Sequence, residues 1–238
     1  MALANEQKLV KSITFVEYIF FAAQLYLNNN RIFDMESTTT NNMAVMLYTE
    51  QTPNPETLKF VTNKMLYRGT ADFRDTAAAS QWSPLAASLF EFPYVKGVYI
   101  CNNFVTVTKE FNYLWDDIML KLKEFIKNYV QEGKPILNEG YAEAMAKIAA
   151  ENREQQYEGD DAETAMKIKE LIETYVKPAV EMDGGNIEFK SFDKGKVTVI
   201  MQGACSGCPS STLTLKSGIE GMLKRMVPEV TEVISEAG

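Results

Sequence analysis

Histidine is missing altogether from the 238 residues. Its absence removes the commonest general base, the Ser-His-Asp and Cys-His arrangements, histidine-ligated zinc and a His-held haem. Cysteine is scarce, with only Cys101, Cys205 and Cys208. Secreted disulfide scaffolds carry cysteine more densely and in even number, so no such framework is expected and the expected address is cytoplasmic. Basic residues are outnumbered, 24 Lys and Arg against 32 Asp and Glu, for a formal charge of −8. A phosphate-tracking protein presents a basic face or stripe, so no nucleic-acid partner is expected. Long apolar runs are also lacking. Ile13–Leu27 (ITFVEYIFFAAQLYL) comes nearest, but it carries Glu17 and Gln24. It also falls short of the ~20 apolar residues a membrane-spanning helix needs, so a membrane partner is not expected. Carboxylates, lysines, hydroxyls and three thiols remain for chemistry.

What is present is an ordinary globular composition, 46% hydrophobic and 24% charged. Residues 1–43 read as a poorly ordered extension. Its apolar run follows Lys8 and Lys11, loosely as in a secretory signal, but no Ala-x-Ala site follows, and Met35 and Met43 offer later starts. Beyond it, residues 44–130 form a first segment. Val45–Thr49 and the alternating Leu58–Thr62 read as strands, with Gln51–Glu56 a loop held extended by Pro53 and Pro55. Ser83-Pro84 opens a helix, Val95–Ile100 and Phe104–Thr108 form a hairpin, and Tyr113–Tyr129 repeats apolar residues at helical spacing. Residues 131–162, rich in Glu, Ala, Gln and Lys, read as a charged linker, helical or disordered. In the second segment, 163–238, a helix broken or kinked at Lys177-Pro178 leads through Asp183-Gly184-Gly185 into a hairpin turning at Asp193-Lys194-Gly195. A second helix and a final edge strand near Val230–Ile234 follow. The expected fold class is α+β, two small α/β sandwiches joined by that linker.

The chemistry concentrates in Gly203-Ala204-Cys205-Ser206-Gly207-Cys208-Pro209, where a strand ends and a helix begins. Pro209 suits the first helical turn, and the turn's free N–H groups favour negative charge nearby. An exposed, electropositive loop bearing thiolates is therefore expected. It could be redox-active, bind zinc or bind an iron–sulfur cluster. Structural zinc and the common iron–sulfur clusters usually want four protein ligands. One chain offers two adjacent thiols, so a single copy falls short. Two copies related by a two-fold axis would supply four.

Several short pieces together make the second segment similar to the C-terminal domain of the NifU family, called Nfu in its stand-alone form. They are Asp183-Gly184-Gly185, Gly203-Ala204-Cys205, Gly207-Cys208-Pro209-Ser210-Ser211, Thr214-Leu215, Gly218-Ile219-Glu220 and Pro228-Glu229-Val230. The first segment resembles the N-terminal domain of Nfu proteins over roughly Met46–Lys123. It does so through Thr52-Pro53-Asn54-Pro55, Thr57-Leu58-Lys59-Phe60, Ser83-Pro84-Leu85-Ala86, Leu89-Phe90 and Phe104–Lys109. The resemblance implies a scaffold or carrier, not an enzyme, whose iron–sulfur cluster, usually [4Fe–4S], is shared between two subunits and passed to apo-proteins. Cys205 and Cys208 become its metal and cofactor ligands. The implied partners are a second copy in the loaded state, apo iron–sulfur proteins as acceptors and the cluster assembly machinery as donor. Asn186 stands where the family often has Asp.

The rival reading is a thiol–disulfide oxidoreductase with Cys205 as nucleophile and Cys208 as resolver. Such proteins need a βαβ context, and here the element before the cysteines is a hairpin. Cys101 reads as a small buried strand-end residue. Thr52–Pro55 is read as turn chemistry before partner docking, and Asp183-Gly184-Gly185 as a turn without a phosphate-loop fingerprint. Trp115, Tyr113, Phe125 and Tyr129 read as core.

Overall fold

The computed structural model describes residues 44–154, 162–206 and 209–237. The expectations for the extension 1–43 and for Cys208 lie outside them. The fold is α+β, as expected. The first sheet contains β1 (Leu47–Gln51), β2 (Thr57–Thr62), β3 (Tyr67–Phe73), β4 (Val95–Asn102) and β5 (Phe104–Lys109). Their order is β1-β2-β5-β4-β3, antiparallel throughout. The β4–β5 hairpin turns through Asn102, whose φ of 47° is one that Asn adopts more readily than most residues.

On one face of this sheet lie α1 (Thr76–Trp82), α2 (Pro84–Phe90), α3 (Trp115–Gln131) and α4 (Tyr141–Glu154). Asp75 and Ser83 cap α1 and α2 by accepting from the amides of Ala78 and Ala86, and Pro84 occupies the first helical turn. Ile118, Leu122 and Ile126 of α3 meet Leu58, Phe60, Val105 and Val107 of the sheet in a buried core. Each such side chain contributes about 1.5–3 kcal/mol relative to exposure.

The segment read as linker begins inside this core. The Ser83 hydroxyl donates to the Ile136 carbonyl at 2.7 Å, the Tyr129 hydroxyl to that of Pro135 at 2.8 Å, and the Asn138 amide N–H to that of Trp82 at 2.8 Å. Tyr141 is buried, its ring edge-on to Tyr67 and Trp82. One aromatic at the head of a charged stretch anchors everything before it.

The second sheet is built of β6 (Gly185–Asp193), β7 (Lys196–Gly203) and β8 (Glu232–Ala237) in that order. β6 and β7 form an antiparallel hairpin whose two-residue turn, Lys194-Gly195, has both residues at positive φ. Such a turn matches the twist of the flanking strands. β8 pairs with β7 in parallel, joined to it by α7 (Pro209–Met226). Over the sheet lie α5 (Ala162–Leu171), a π-helical turn (Ile172–Val176) and α6 (Lys177–Met182).

Pro178 was expected to break or kink this helix. The chain stays helical because the π turn shifts the bonding by one residue: the Lys177 amide donates to the Ile172 carbonyl. The missing proline donor falls in the first turn of the next helical stretch, where no partner is needed. Each sheet has its own core, and Val45–Gly238 packs as one unit. Among the described residues no helix is long and apolar enough to cross a membrane.

If residues 136–141 belong to the first core, Tyr141→Ala should lower unfolding free energy by about 3 kcal/mol. Urea denaturation followed by near-ultraviolet circular dichroism measures this. An unchanged midpoint would return the segment to a tether.

Candidate functional site

Cys205 sits two residues beyond the end of β7. Gly203, the last residue of that strand, has φ of +62° and turns the chain. The Ala204 amide then donates to the Gly184 carbonyl at 3.2 Å, and the Ser206 amide donates to the Gly203 carbonyl at 3.2 Å. The cysteine loop is thus laid against the Asp183-Gly184-Gly185 turn that leads into β6. Gly185 makes that contact possible. A Cβ there would stand 2.8 Å from the Cys205 sulfur and 2.8 Å from the Gln202 carbonyl oxygen.

The structure corrects the expected chemistry of this loop. Cys205 is buried, 9% exposed, instead of open to solvent. Its thiol is not lowered by a helix start but pushed up to about 12, first by burial and then by the charge of Asp183. A thiol held protonated in this way is a poor nucleophile. It becomes a ligand only when a metal displaces its proton. Beside it, the Ser206 hydroxyl oxygen is buried and has no hydrogen-bond partner among the described residues. A buried hydroxyl without a partner is a donor that a sulfur ligand could satisfy, so the groups at the loop are compatible with a thiolate-ligated cargo. A cavity of about 650 Å³ opens at Cys205, lined mainly by apolar residues such as Tyr175, Val180, Leu215 and Met222, with Pro53 contributed by the first half. Among the described residues no three His, Cys, Asp or Glu side chains converge to hold a metal ion.

The chain after the cysteines also departs from the expected hairpin context. β7, α7 and β8 form a parallel βαβ unit, so the topological objection fails. The hairpin before the cysteines did not reveal that the chain after them returns parallel to β7. The objection that stands is chemical: a buried thiol with a raised pKa beside an aspartate is the reverse of an activated one.

Residues of the first half that the sequence had assigned to ordinary structure reach the same place. Lys59 Nζ donates to the Met182 carbonyl at 2.9 Å, and the Thr106 hydroxyl donates to that of Gly184 at 2.8 Å. The Tyr99 hydroxyl approaches the Gly185 carbonyl at 3.4 Å, and Asn54 Nδ2 donates to the Ala204 carbonyl at 3.2 Å. Asn54 also fulfils its turn role, its Oδ1 accepting from the Glu56 amide at 2.9 Å. Asp72, buried and held by two Arg74 N–H groups, points toward the Gly203 amide at 3.5 Å. Burial outweighs Arg74 there and raises the carboxyl above its ordinary range. Cys101 is buried with Val61, Tyr99 and Phe104, as a small apolar strand residue should be. Asn186 Nδ2 donates to Glu188 and Gln202 at 3.0 and 2.9 Å, a role an Asp carboxylate could not fill.

The NifU-like domain family matches residues 168–234, the half that carries Cys205 and Cys208. The Nfu/NifU N-terminal scaffold domain matches residues 47–133. NifU-like protein 5, mitochondrial, of Arabidopsis thaliana is 40% identical over 196 residues, covering 81% of this chain and 68% of that one. The chain belongs to the Nfu/NifU family. NifU-like protein 4, mitochondrial, of the same plant is 41% identical, with 81% of this chain and 66% of that one covered. The NFU1 iron-sulfur cluster scaffold homolog, mitochondrial, of Drosophila grimshawi is 41% identical over 79% of this chain and 60% of its own length. The chain therefore spans about three fifths of that Nfu relative. All three relatives are named mitochondrial, which overturns the cytoplasmic address expected from the cysteine count. A low cysteine count does not tell one compartment from another.

Because the Cys205 sulfur rests on Gly185, Gly185→Ala should destabilise this Nfu protein by about 1–3 kcal/mol through overpacking. Thermal unfolding monitored by circular dichroism is the check. A variant as stable as the parent would show that the loop is not seated on that glycine.

Proposed function

We propose that the protein is an iron–sulfur cluster scaffold or carrier in the mitochondrion. In this reading it is not an enzyme. Cys205 and Cys208 of two copies share one cluster, of [4Fe–4S] type, and pass it to apo iron–sulfur proteins after receiving it from the assembly machinery. The observation that carries this reading is the mounting of Cys205. The residue stands on a glycine-set loop at the edge of an apolar cavity, next to an unpartnered buried hydroxyl, within the half that matches the NifU-like domain. Relatives named as iron–sulfur cluster scaffolds and as NifU-like proteins support it.

The ligand arithmetic gives the mechanism its form. With two loop thiols per chain, a four-thiolate site needs a second copy, and symmetry supplies the same loop from it. Release then proceeds by ligand exchange. Each acceptor thiolate that binds an iron displaces one carrier thiolate, and no electrons change hands. An acceptor with four cysteines in one fold holds the cluster more firmly than a site divided between two chains, which sets the direction of transfer.

Anaerobic reconstitution with iron and sulfide tests the reading. Cys205→Ser and Cys208→Ser should each abolish stable loading, while Cys101→Ser should retain it. Mixing the loaded protein with an apo-[4Fe–4S] enzyme should restore that enzyme's activity within minutes, even with a strong iron chelator present. Full loading of the Cys205→Ser variant, or complete inhibition of activation by chelator, would contradict the carrier mechanism.

A further inference from the structure

The outer face of the first sheet, the one turned away from its helices, carries Lys59, Tyr99 and Thr106. An antiparallel sheet commonly leaves such a face to water. Here Tyr99 is 1% exposed, Thr106 0% and Lys59 8%, and Asn54 in the preceding loop is 1% exposed. Polar groups buried to that degree need partners. All four point to backbone carbonyls of the second half: those of Met182, Gly184, Gly185 and Ala204. These carbonyls belong to the end of α6 and to the two turns on which Cys205 is mounted.

Each contact has a local cause. The Met182 carbonyl ends α6, where helix carbonyls lack intrahelical partners and the dipole attracts a cation. Lys59 supplies the cation, with its charge also met by Glu50 at 3.0 Å and by the Phe104 ring at 4.5 Å. The two turns come close enough only because they lack side chains at the seam. A Cβ on Gly184 would stand 2.9 Å from Thr106 Oγ1, and one on Gly203 would stand 2.8 Å from the Tyr99 ring. The glycines at these turns therefore serve the seam as well as the bend.

We propose that this sheet face is a clasp: Asn54, Lys59, Tyr99 and Thr106 hold the two turns that carry Cys205, and the loop must leave the clasp before a second chain can share its thiolate. The four are positioning residues. They act on the cargo site through the backbone of the Asp183–Gly185 and Gly203–Cys205 turns. The second part of the proposal rests on the carrier reading given above, whereas the clasp itself does not. Two thiols report its state. Cys101 lies on the clasp face and Cys205 in the gripped loop, and both are buried. Pro53, next to Asn54, lines the cavity that Cys205 also lines. The clasp thus holds the loop from the sheet side and leaves Cys205 only 9% exposed to a second chain.

The test is timed alkylation of the reduced apo-protein with iodoacetamide, read by peptide mass spectrometry at Cys101 and Cys205. The double variant Lys59→Met/Thr106→Val removes two donors with little change of shape. It should raise both alkylation rates together by about tenfold or more, because local opening then replaces a closed seam. Leu122→Ala, in the helix-facing core of the first half, serves as a control that weakens the fold without touching the clasp. Unchanged rates in a folded double variant would overturn the proposal. So would equal acceleration in the Leu122→Ala control at matched melting temperature, since exposure would then come from global unfolding. Iron uptake is read separately on the same proteins. Faster loading of the double variant than of the parent supports the gating step, and equal or slower loading overturns it. Failure of every protein to load contradicts the carrier reading, and alkylation alone then decides the clasp.

Discussion

The arrangement around Cys205 depends on one interaction, the ammonium of Lys59 at the C-terminal end of α6. It places a charge from the middle of one sheet on a carbonyl at the end of the other half's helix, 2.9 Å away. Hydrogen bonds to charged groups contribute about 1.5–3 kcal/mol net, and leaving such a group buried without its partner costs more. Once the helix end is fixed there, the Asp183–Gly185 turn follows it onto Thr106 and Tyr99. The loop of Gly203 to Ser206 is then carried in on the Ala204–Gly184 backbone bond.

This seam explains why β2 is buried along its whole length. Leu58 and Phe60 face the helices, while Lys59 and Val61 face the other way, and both sides of the strand are covered. It also explains the raised thiol. A cysteine pressed onto Gly185 and flanked by Asp183 gives up its proton with difficulty. Such a protonated thiol is a poor nucleophile.

Much of the framework was legible before any coordinates. Ser83-Pro84, the apolar period of α3, the Asp193-Lys194-Gly195 turn and the position of Cys205 after a strand all follow from local rules, and the fold confirms them. The rest depended on partners distant in sequence. β3 is an edge strand with an irregular register and a weak alternating pattern, so its pairing with β4 defines it. The seven-residue helix α1 is held by Asp75 and its neighbours more than by propensity. Tyr141 looked like the start of a tether because a lone aromatic does not announce what it packs against. The roles of Lys59 and Thr106 were not legible, since a polar residue facing a distant backbone carbonyl looks the same in sequence as one facing water. The burial of Cys205 was missed for the same reason, and so was the parallel return of β8.

In the proposed mechanism one chain carries half of a cluster site and two copies complete it. Native mass spectrometry of the anaerobically reconstituted protein tests this most directly, because it weighs chains, iron and sulfide in one particle. The predicted species contains two chains and one [4Fe–4S] cluster, about two iron per chain, with apo-protein failing to hold the same pair. A monomer carrying a complete cluster would rule out the shared site.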